Sequence, residues 1–138
     1  MLHDIYHDIL IDHSQYSPYR YAQTCRKEHA HNPACGDDVT VWMDIKDNVV
    51  QSMSFEGQGC VISQASASLA CLGLIGLGVD AACARVQVML GMLTDTGGDI
   101  EVEELRALAD IKRFPMRVKC ATMAWHTCLK LLRTQEDV

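Results

Sequence analysis

Gly57-Gln58-Gly59-Cys60-Val61-Ile62-Ser63-Gln64-Ala65-Ser66-Ala67-Ser68-Leu69 sets a glycine-flanked cysteine directly ahead of a run of small residues. Gly57 and Gly59 permit backbone angles that a residue with a Cβ avoids, so the chain can turn sharply and leave the Cys60 sulfur approachable. Ser63 suits a helix N-cap, and the alanines and serines beyond it allow close packing. A thiol just ahead of a helix meets the positive end of its dipole, which favours the thiolate, the form that binds metal or attacks sulfur. An ordinary strand-to-helix turn with a buried cysteine would read the same way, because free cysteine is among the most buried residue types.

Two further cysteines bear on that choice. Asn32-Pro33-Ala34-Cys35-Gly36-Asp37 puts a thiol and a carboxylate two residues apart in a Pro/Gly turn. Arg117-Val118-Lys119-Cys120-Ala121-Thr122-Met123-Ala124-Trp125 puts a third thiol at the start of the last helix. Three thiols and a carboxylate suffice to close a four-coordinate shell around zinc or to hold iron and sulfide. No C-x-x-C pair is present to set a chelate by local spacing.

Cys-Gly-Asp at 35–37, Gly-x-Gly-Cys-x-x-Ser-x-Ala-Ser-Ala-Ser at 57–68 and Arg-x-Lys-Cys-Ala-x-x-x-Trp at 117–125 come in an order that resembles the IscU/NifU-N family of iron-sulfur assembly scaffolds. The likeness covers nearly the whole chain. Where IscU-like members carry a histidine before the last cysteine, Lys119 stands here, a poor metal ligand with an ordinary pKa near 10.4. The stretch between Cys60 and Cys120 is also longer, with 94–112 as the expected insert. Both features resemble the SufU branch. The Leu-Pro-Pro-Val-Lys segment by which IscU-like proteins engage a dedicated chaperone is replaced by Phe114-Pro115-Met116-Arg117-Val118-Lys119.

Composition bounds the rest. A chain of 138 residues, 49% hydrophobic and 22% charged, is expected to form one globular domain over 1–138 without disulfide staples. Its net charge of -6 argues against nucleic acid and anionic membranes as partners, since both call for a basic face. Seven cysteines is an odd number, and Met1-Leu2-His3-Asp4-Ile5-Tyr6-His7-Asp8 is too charged for a secretory signal, so free thiols in the cytoplasm are expected. The most apolar run, 69–79, is broken by glycines and falls short of the roughly 20 residues that span a bilayer.

Hydrophobic periodicity predicts an α+β fold: a small three-stranded antiparallel sheet with helices packed on it. Leu2, Ile5, Tyr6, Ile9 and Leu10 mark an amphipathic helix over 1–16, ended by Ser17-Pro18. Residues 19–34 read as loop, with His29 and His31 as solvated histidines. Alternation predicts two strands: Val39, Val41, Met43 and Ile45, then Val49, Gln51, Met53 and Phe55, joined at Lys46-Asp47-Asn48. A short third strand is expected over 58–61. Helices follow over 63–77, over 81–93 with Asp80 as cap, and over 101–109 as an acidic segment beyond a flexible Gly97-Gly98 break. A last helix opens at Pro115. Its apolar face carries Val118, Ala121, Trp125, Cys128, Leu129 and Leu132, and Cys120 falls off it beside Arg117 and Lys119. Cys71, Cys83 and Cys128 read as small core residues.

The resemblance implies a chemistry. Cys35, Asp37, Cys60 and Cys120 would ligate one metal, Zn²⁺ in the protein as isolated; the centre then carries a formal charge of about -2, and the cation offsets the repulsion of the thiolates and keeps them deprotonated. A cysteine desulfurase of the SufS type would supply persulfide sulfur, and downstream iron-sulfur acceptor proteins would receive the product. Cys35 is expected to be the sulfur acceptor, both by resemblance to the branch and because Pro33 and Gly36 place it on an adjustable loop. The same residues would instead hold iron or a 2Fe-2S cluster in a scaffold, or close a purely structural zinc module. A cysteine hydrolase lacks a histidine motif that pairs with any of the three thiols.

Overall fold

The computed structural model describes residues 2–33, 36–94 and 100–136, with side chains from 6 to 134. Its elements run α1 (Leu2–Gln15), β1 (Lys27–Asn32), β2 (Asp37–Lys46), β3 (Val49–Gln58), α2 (Val61–Leu74), α3 (Val79–Leu93), a 3₁₀ segment (Leu105–Arg113) and α4 (Pro115–Glu136). The sheet is antiparallel in the order β1-β2-β3. This is the α+β architecture that the periodicity predicts, with one strand in a different place.

β2 and β3 meet through a two-residue turn in which Asp47 and Asn48 both take positive φ, 54° and 63°. Such a turn matches the natural twist of a hairpin, and Asn and Asp tolerate it best. Val39, Val41 and Met43 from β2 and Met53 and Phe55 from β3 point into the core, each at most 1% exposed. A register shift between Asp44 and Ile45 changes the alternation at the turn end, so that Val50 is buried and Gln51 exposed. The expected alignment of Val49 and Gln51 with Met53 therefore fails at that bulge.

The third strand is β1, inside the segment read as loop, and no strand forms at 58–61, where β3 ends and α2 begins. Lys27 to Asn32 pair with Trp42 to Asp37 in register. β1 is an edge strand, exposed or half-buried throughout, with Ala30 packed against the core. Its partner supplies the ordering that its own polar sequence does not advertise.

The helices cover the inner face of the sheet. α2 is buried on nearly every side, so its serines need partners inside the protein. Ser66 Oγ donates to the Ala121 carbonyl of α4 at 2.5 Å, and Ser68 Oγ bonds both His13 Nδ1 at 2.7 Å and Ser17 Oγ at 2.6 Å. His13 Nε2 also meets Glu104 Oε2 at 2.8 Å, tying α1 to α2 and to the entrance of the 3₁₀ segment. α3 opens at Val79 with Gly78 at its N-cap, and Asp80 lies in its first turn instead of capping it. The acidic helix expected over 101–109 is a 3₁₀ segment displaced toward the C-terminus, anchored by Leu105, Leu108 and Ile111; Gly97-Gly98 lie outside the described residues. Cys71 and Cys128 are fully buried, whereas Cys83 is half-buried against the core. Among the described residues, no helix is long and apolar enough to cross a membrane.

Candidate metal centre

Strand register brings the first two site residues together. Asp38 pairs with Gln58, so the start of β2 lies beside the end of β3. Two residues on, the Cys60 backbone N–H donates to Asp37 Oδ1 at 2.9 Å. Between them Gly59 takes φ +146°, a conformation that side chains with a Cβ rarely adopt. A Cβ there would collide with the Asp37 carboxylate and come within 2.9 Å of Ser63 Oγ. Only glycine lets the turn close on the acid.

Cys60 itself, not Ser63, is the N-cap of α2. Its Sγ accepts from the Ser63 N–H at 3.5 Å, and the Ser63 hydroxyl donates back to the Cys60 carbonyl at 3.0 Å. Helix α2 thus begins at Val61, two residues earlier than the serine would set it. The sulfur lies 3.9 Å from Asp37 Oδ2 and is exposed.

Cys120 approaches from α4. It is 6% exposed and belongs to the buried core cluster, contrary to the expectation that it lies off the apolar face. α4 packs on α2, α3, both β1 and β2 and the 3₁₀ segment, so its buried surface is much wider than one stripe. The Cys120 thiol reaches the Met116 carbonyl at 3.8 Å. Ligand atoms of Asp37, Cys60 and Cys120 all lie within 4.8 Å of one another. Cys35, the fourth expected donor, lies outside the described residues.

These donors suit a thiophilic cation. With bonds of about 2.3 Å to sulfur and about 2.0 Å to oxygen, ligand atoms of a tetrahedral zinc stand roughly 3.5–3.8 Å apart. The 3.9 Å between Cys60 and Asp37 is already close to that spacing. Asp37 is fully buried, and a carboxylate out of water needs strong partners; an N–H from Cys60 supplies one. Burial acts on two further thiols that lie outside the site, Cys128 and Cys71. It pushes Cys128 up to about 12 and Cys71 well above the ordinary thiol range, with the neighbouring Cys128 adding to the latter. Such thiols stay protonated and inert.

A cavity of about 760 Å³ opens onto Cys60 and Cys120, walled by Leu10, Ile62 and Ile111. Three large apolar side chains stand exposed on it: Val61, Phe114 and Met116. Arg117 lines it too, its guanidinium 5.6 Å from the Phe114 ring centroid. Lys119 and His126 do not; they line a separate groove between α4 and β1. Sequence reading missed the packing of Gly59 against Asp37 and this apolar rim, since neither leaves a periodic signal.

The family described as "NifU-like N terminal domain" matches residues 5–127. The chain belongs to the NifU-like N-terminal domain family. Among its relatives, the "Iron-sulfur cluster assembly scaffold protein IscU" of Thermotoga maritima is 37% identical over 107 residues, 77% of this chain and 75% of that one. The "Zinc-dependent sulfurtransferase SufU" of Bacillus subtilis is 33% identical over 107 residues, 76% of this chain and 73% of that protein. The solved structure of FiSufU from Fervidobacterium islandicum superposes with a TM-score of 0.84 at 30% identity, covering 94% of this chain and 96% of that one. The NifU-like fold and the SufU-like relationship expected from the motifs are therefore both met.

Proposed function

We propose that this NifU-like protein works in iron-sulfur cluster biogenesis, accepting persulfide sulfur from a cysteine desulfurase at a metal site made by Cys35, Asp37, Cys60 and Cys120. The observation that carries the reading is the meeting of Asp37, Cys60 and Cys120 from three separate parts of the chain. Similarity to a zinc-dependent sulfurtransferase and to a cluster scaffold supports it. Cys35 is two peptide units from Asp37, so covalent connectivity alone holds their Cα atoms within about 7 Å. Lys119 faces the groove at β1, so it does not compete for the fourth position. A bound zinc would supply charge neutralisation that keeps clustered thiolates deprotonated.

In the transfer itself, the Cys35 thiolate attacks the outer sulfur of the desulfurase persulfide. The new S–S bond forms as the old one breaks, and the enzyme cysteine leaves as a thiolate. Cys35 thereby carries the persulfide. Asp37 and Cys60 fix the floor of the site through the hydrogen bond from the Cys60 N–H to the Asp37 carboxylate, and the cavity with its exposed Val61, Phe114 and Met116 gives a partner an apolar surface to dock on. We assign the donor to the SufS type, the compartment to the cytoplasm, and partner choice to residues 94–112. A scaffold reading uses the same donors with a 2Fe-2S cluster as cargo, and the 37% identity to a scaffold protein favours keeping it.

Incubation with desulfurase, cysteine and reductant tests the proposal. Sulfide release should rise, and mass mapping should place the extra sulfur on Cys35. Stoichiometric transfer to a Cys35→Ala protein would overturn the assignment. Anaerobic reconstitution with iron and sulfide separates the two readings: a stable cluster on the intact chain with no persulfide transfer favours the scaffold.

A further inference from the structure

An open sheet has two outer edges, and among the described residues the chain covers only one of them. Along β3 the Phe55 N–H donates to the Tyr19 carbonyl at 2.9 Å, the Val50 N–H donates to the Leu77 carbonyl at 2.8 Å, and the Val50 carbonyl accepts from the Gly76 N–H at 2.8 Å. Along β1 the corresponding backbone groups stay open. The Met43 N–H donates to the Arg26 carbonyl at 3.0 Å, and in an antiparallel pair bonded positions recur at every second residue. Glu28 and Ala30 therefore direct their backbone groups to Val41 and Val39 of β2, while Lys27, His29 and His31 direct theirs off the sheet. Among the described residues, no hydrogen bond from beyond the sheet meets the N–H or C=O of those three.

The open edge borders a groove of about 370 Å³ whose other wall is α4. Lys119, His126 and Lys130 line that wall, all exposed and set on one stripe by helical spacing, with Glu28 across from them on β1. We propose that this groove takes an extended, acidic segment of a partner protein, which adds to β1 as a further strand and sets its carboxylates against Lys119 and Lys130. Strand addition of this kind draws affinity from backbone hydrogen bonds and selectivity from alternate side chains. The two lysines stand about 16 Å apart along the helix. An extended chain crosses that distance in about five residues, which suits the six residues of β1. Charge decides the occupant: the chain carries a net charge of -6, yet it presents lysines to whatever lies in this groove. A second copy fits less well. Pairing β1 with itself about His29 would set Lys27 opposite His31 twice, and a lysine on a short edge strand is a common guard against such pairing.

Pro33 lines the groove as well, two residues before Cys35, so a segment seated there lies beside the stretch that leads into the acceptor loop. The groove shares no lining residue with the apolar cavity at Cys60, and its occupation leaves that cavity open. Any part the segment plays in sulfur delivery rests on the reading under Proposed function; the binding itself does not.

Amide hydrogen exchange on the reduced full chain tests it, with the end-blocked hexapeptide Val-Glu-Val-Asp-Val-Glu as probe at millimolar concentration. The expected result is slowed exchange at the Lys27, His29 and His31 amides, with Glu28 and Ala30 unchanged. N-methylation of one alternate set of peptide amides should abolish the effect and methylation of the other set should leave it, because only one set faces β1. A peptide with lysine in place of each acid should not bind, and Lys130→Gln should weaken the acidic peptide by up to about fivefold. His29→Pro removes an N–H that β2 does not use, so it should abolish binding while the circular dichroism spectrum stays the same. If that variant fails to fold, the methylated peptides still decide. Equal binding of both methylated peptides, or unslowed exchange at the three amides, overturns the proposal. Protection of those amides that rises with protein concentration in the absence of peptide overturns it in favour of a second copy. None of these readouts involves sulfur transfer, so their failure leaves the reading of the metal centre untouched.

Discussion

Gly59→Ala strikes the turn that seats Asp37 beneath Cys60. Two separate costs follow from the structure. The backbone at φ +146° is strained for any side chain, which costs about 1–3 kcal/mol. The added Cβ also collides with the Asp37 carboxylate, which the Cys60 N–H holds in place. Either the carboxylate swings away or the turn opens, and both remove a donor from the group. Displacing an oriented ligand or its support lowers metal affinity about 10- to 100-fold, equivalent to about 1.4–2.7 kcal/mol. Gly76→Ala is the matched control: φ is +92°, yet no atom lies within 4 Å of the position its Cβ would take, so it carries the backbone cost without touching the site. Urea unfolding of the metal-free proteins should show both variants destabilised, Gly59→Ala the more so because its Cβ also displaces the Asp37 carboxylate. Zinc competition against a chromophoric chelator should show weakened binding in Gly59→Ala and wild-type binding in Gly76→Ala. Equal zinc affinity in the two variants would refute the claim that Gly59 exists to admit the carboxylate.

Alkaline pH should destabilise the fold through its buried thiols. Burial raises Cys128 to about 12 and raises Cys71, so above pH 9 the unfolded chain releases protons that the native chain keeps. Stability is unaffected below pH 9 and falls between pH 9 and 12 by about 1.4 kcal/mol per pH unit for Cys128, with Cys71 adding in the same direction. Urea midpoints at pH 8 and pH 10 check this, and Cys128→Ala should flatten the slope. His13→Ala should loosen α1, because the ring joins buried Ser68 to Glu104; about 1–3 kcal/mol is expected, read as lower stability and faster amide exchange over 6–15.

The β2–β3 hairpin was legible because alternation and an Asp-Asn turn agree, and α4 because Pro115 opens a helical period. β1 was not, since Lys27-Glu28-His29-Ala30-His31-Asn32 offers a single apolar side chain and becomes a strand by pairing with β2. The start of α2 shifted because a cysteine sulfur took the capping role that serine usually has. Cys120 read as exposed because a one-stripe pattern assumes one packing partner, and α4 has several. The donors were named from the order of their motifs. What joins them, the Asp38–Gln58 register and the room left by Gly59, is a property of the paired strands and has no linear signature.

X-ray absorption at the zinc edge of the zinc-loaded chain tests the central claim most directly. The account predicts a sulfur shell near 2.3 Å, accompanied by one oxygen near 2.0 Å, with sulfur removed in turn by Cys60→Ser and Cys120→Ser. A first shell of nitrogen and oxygen alone, unchanged by those substitutions, would contradict it.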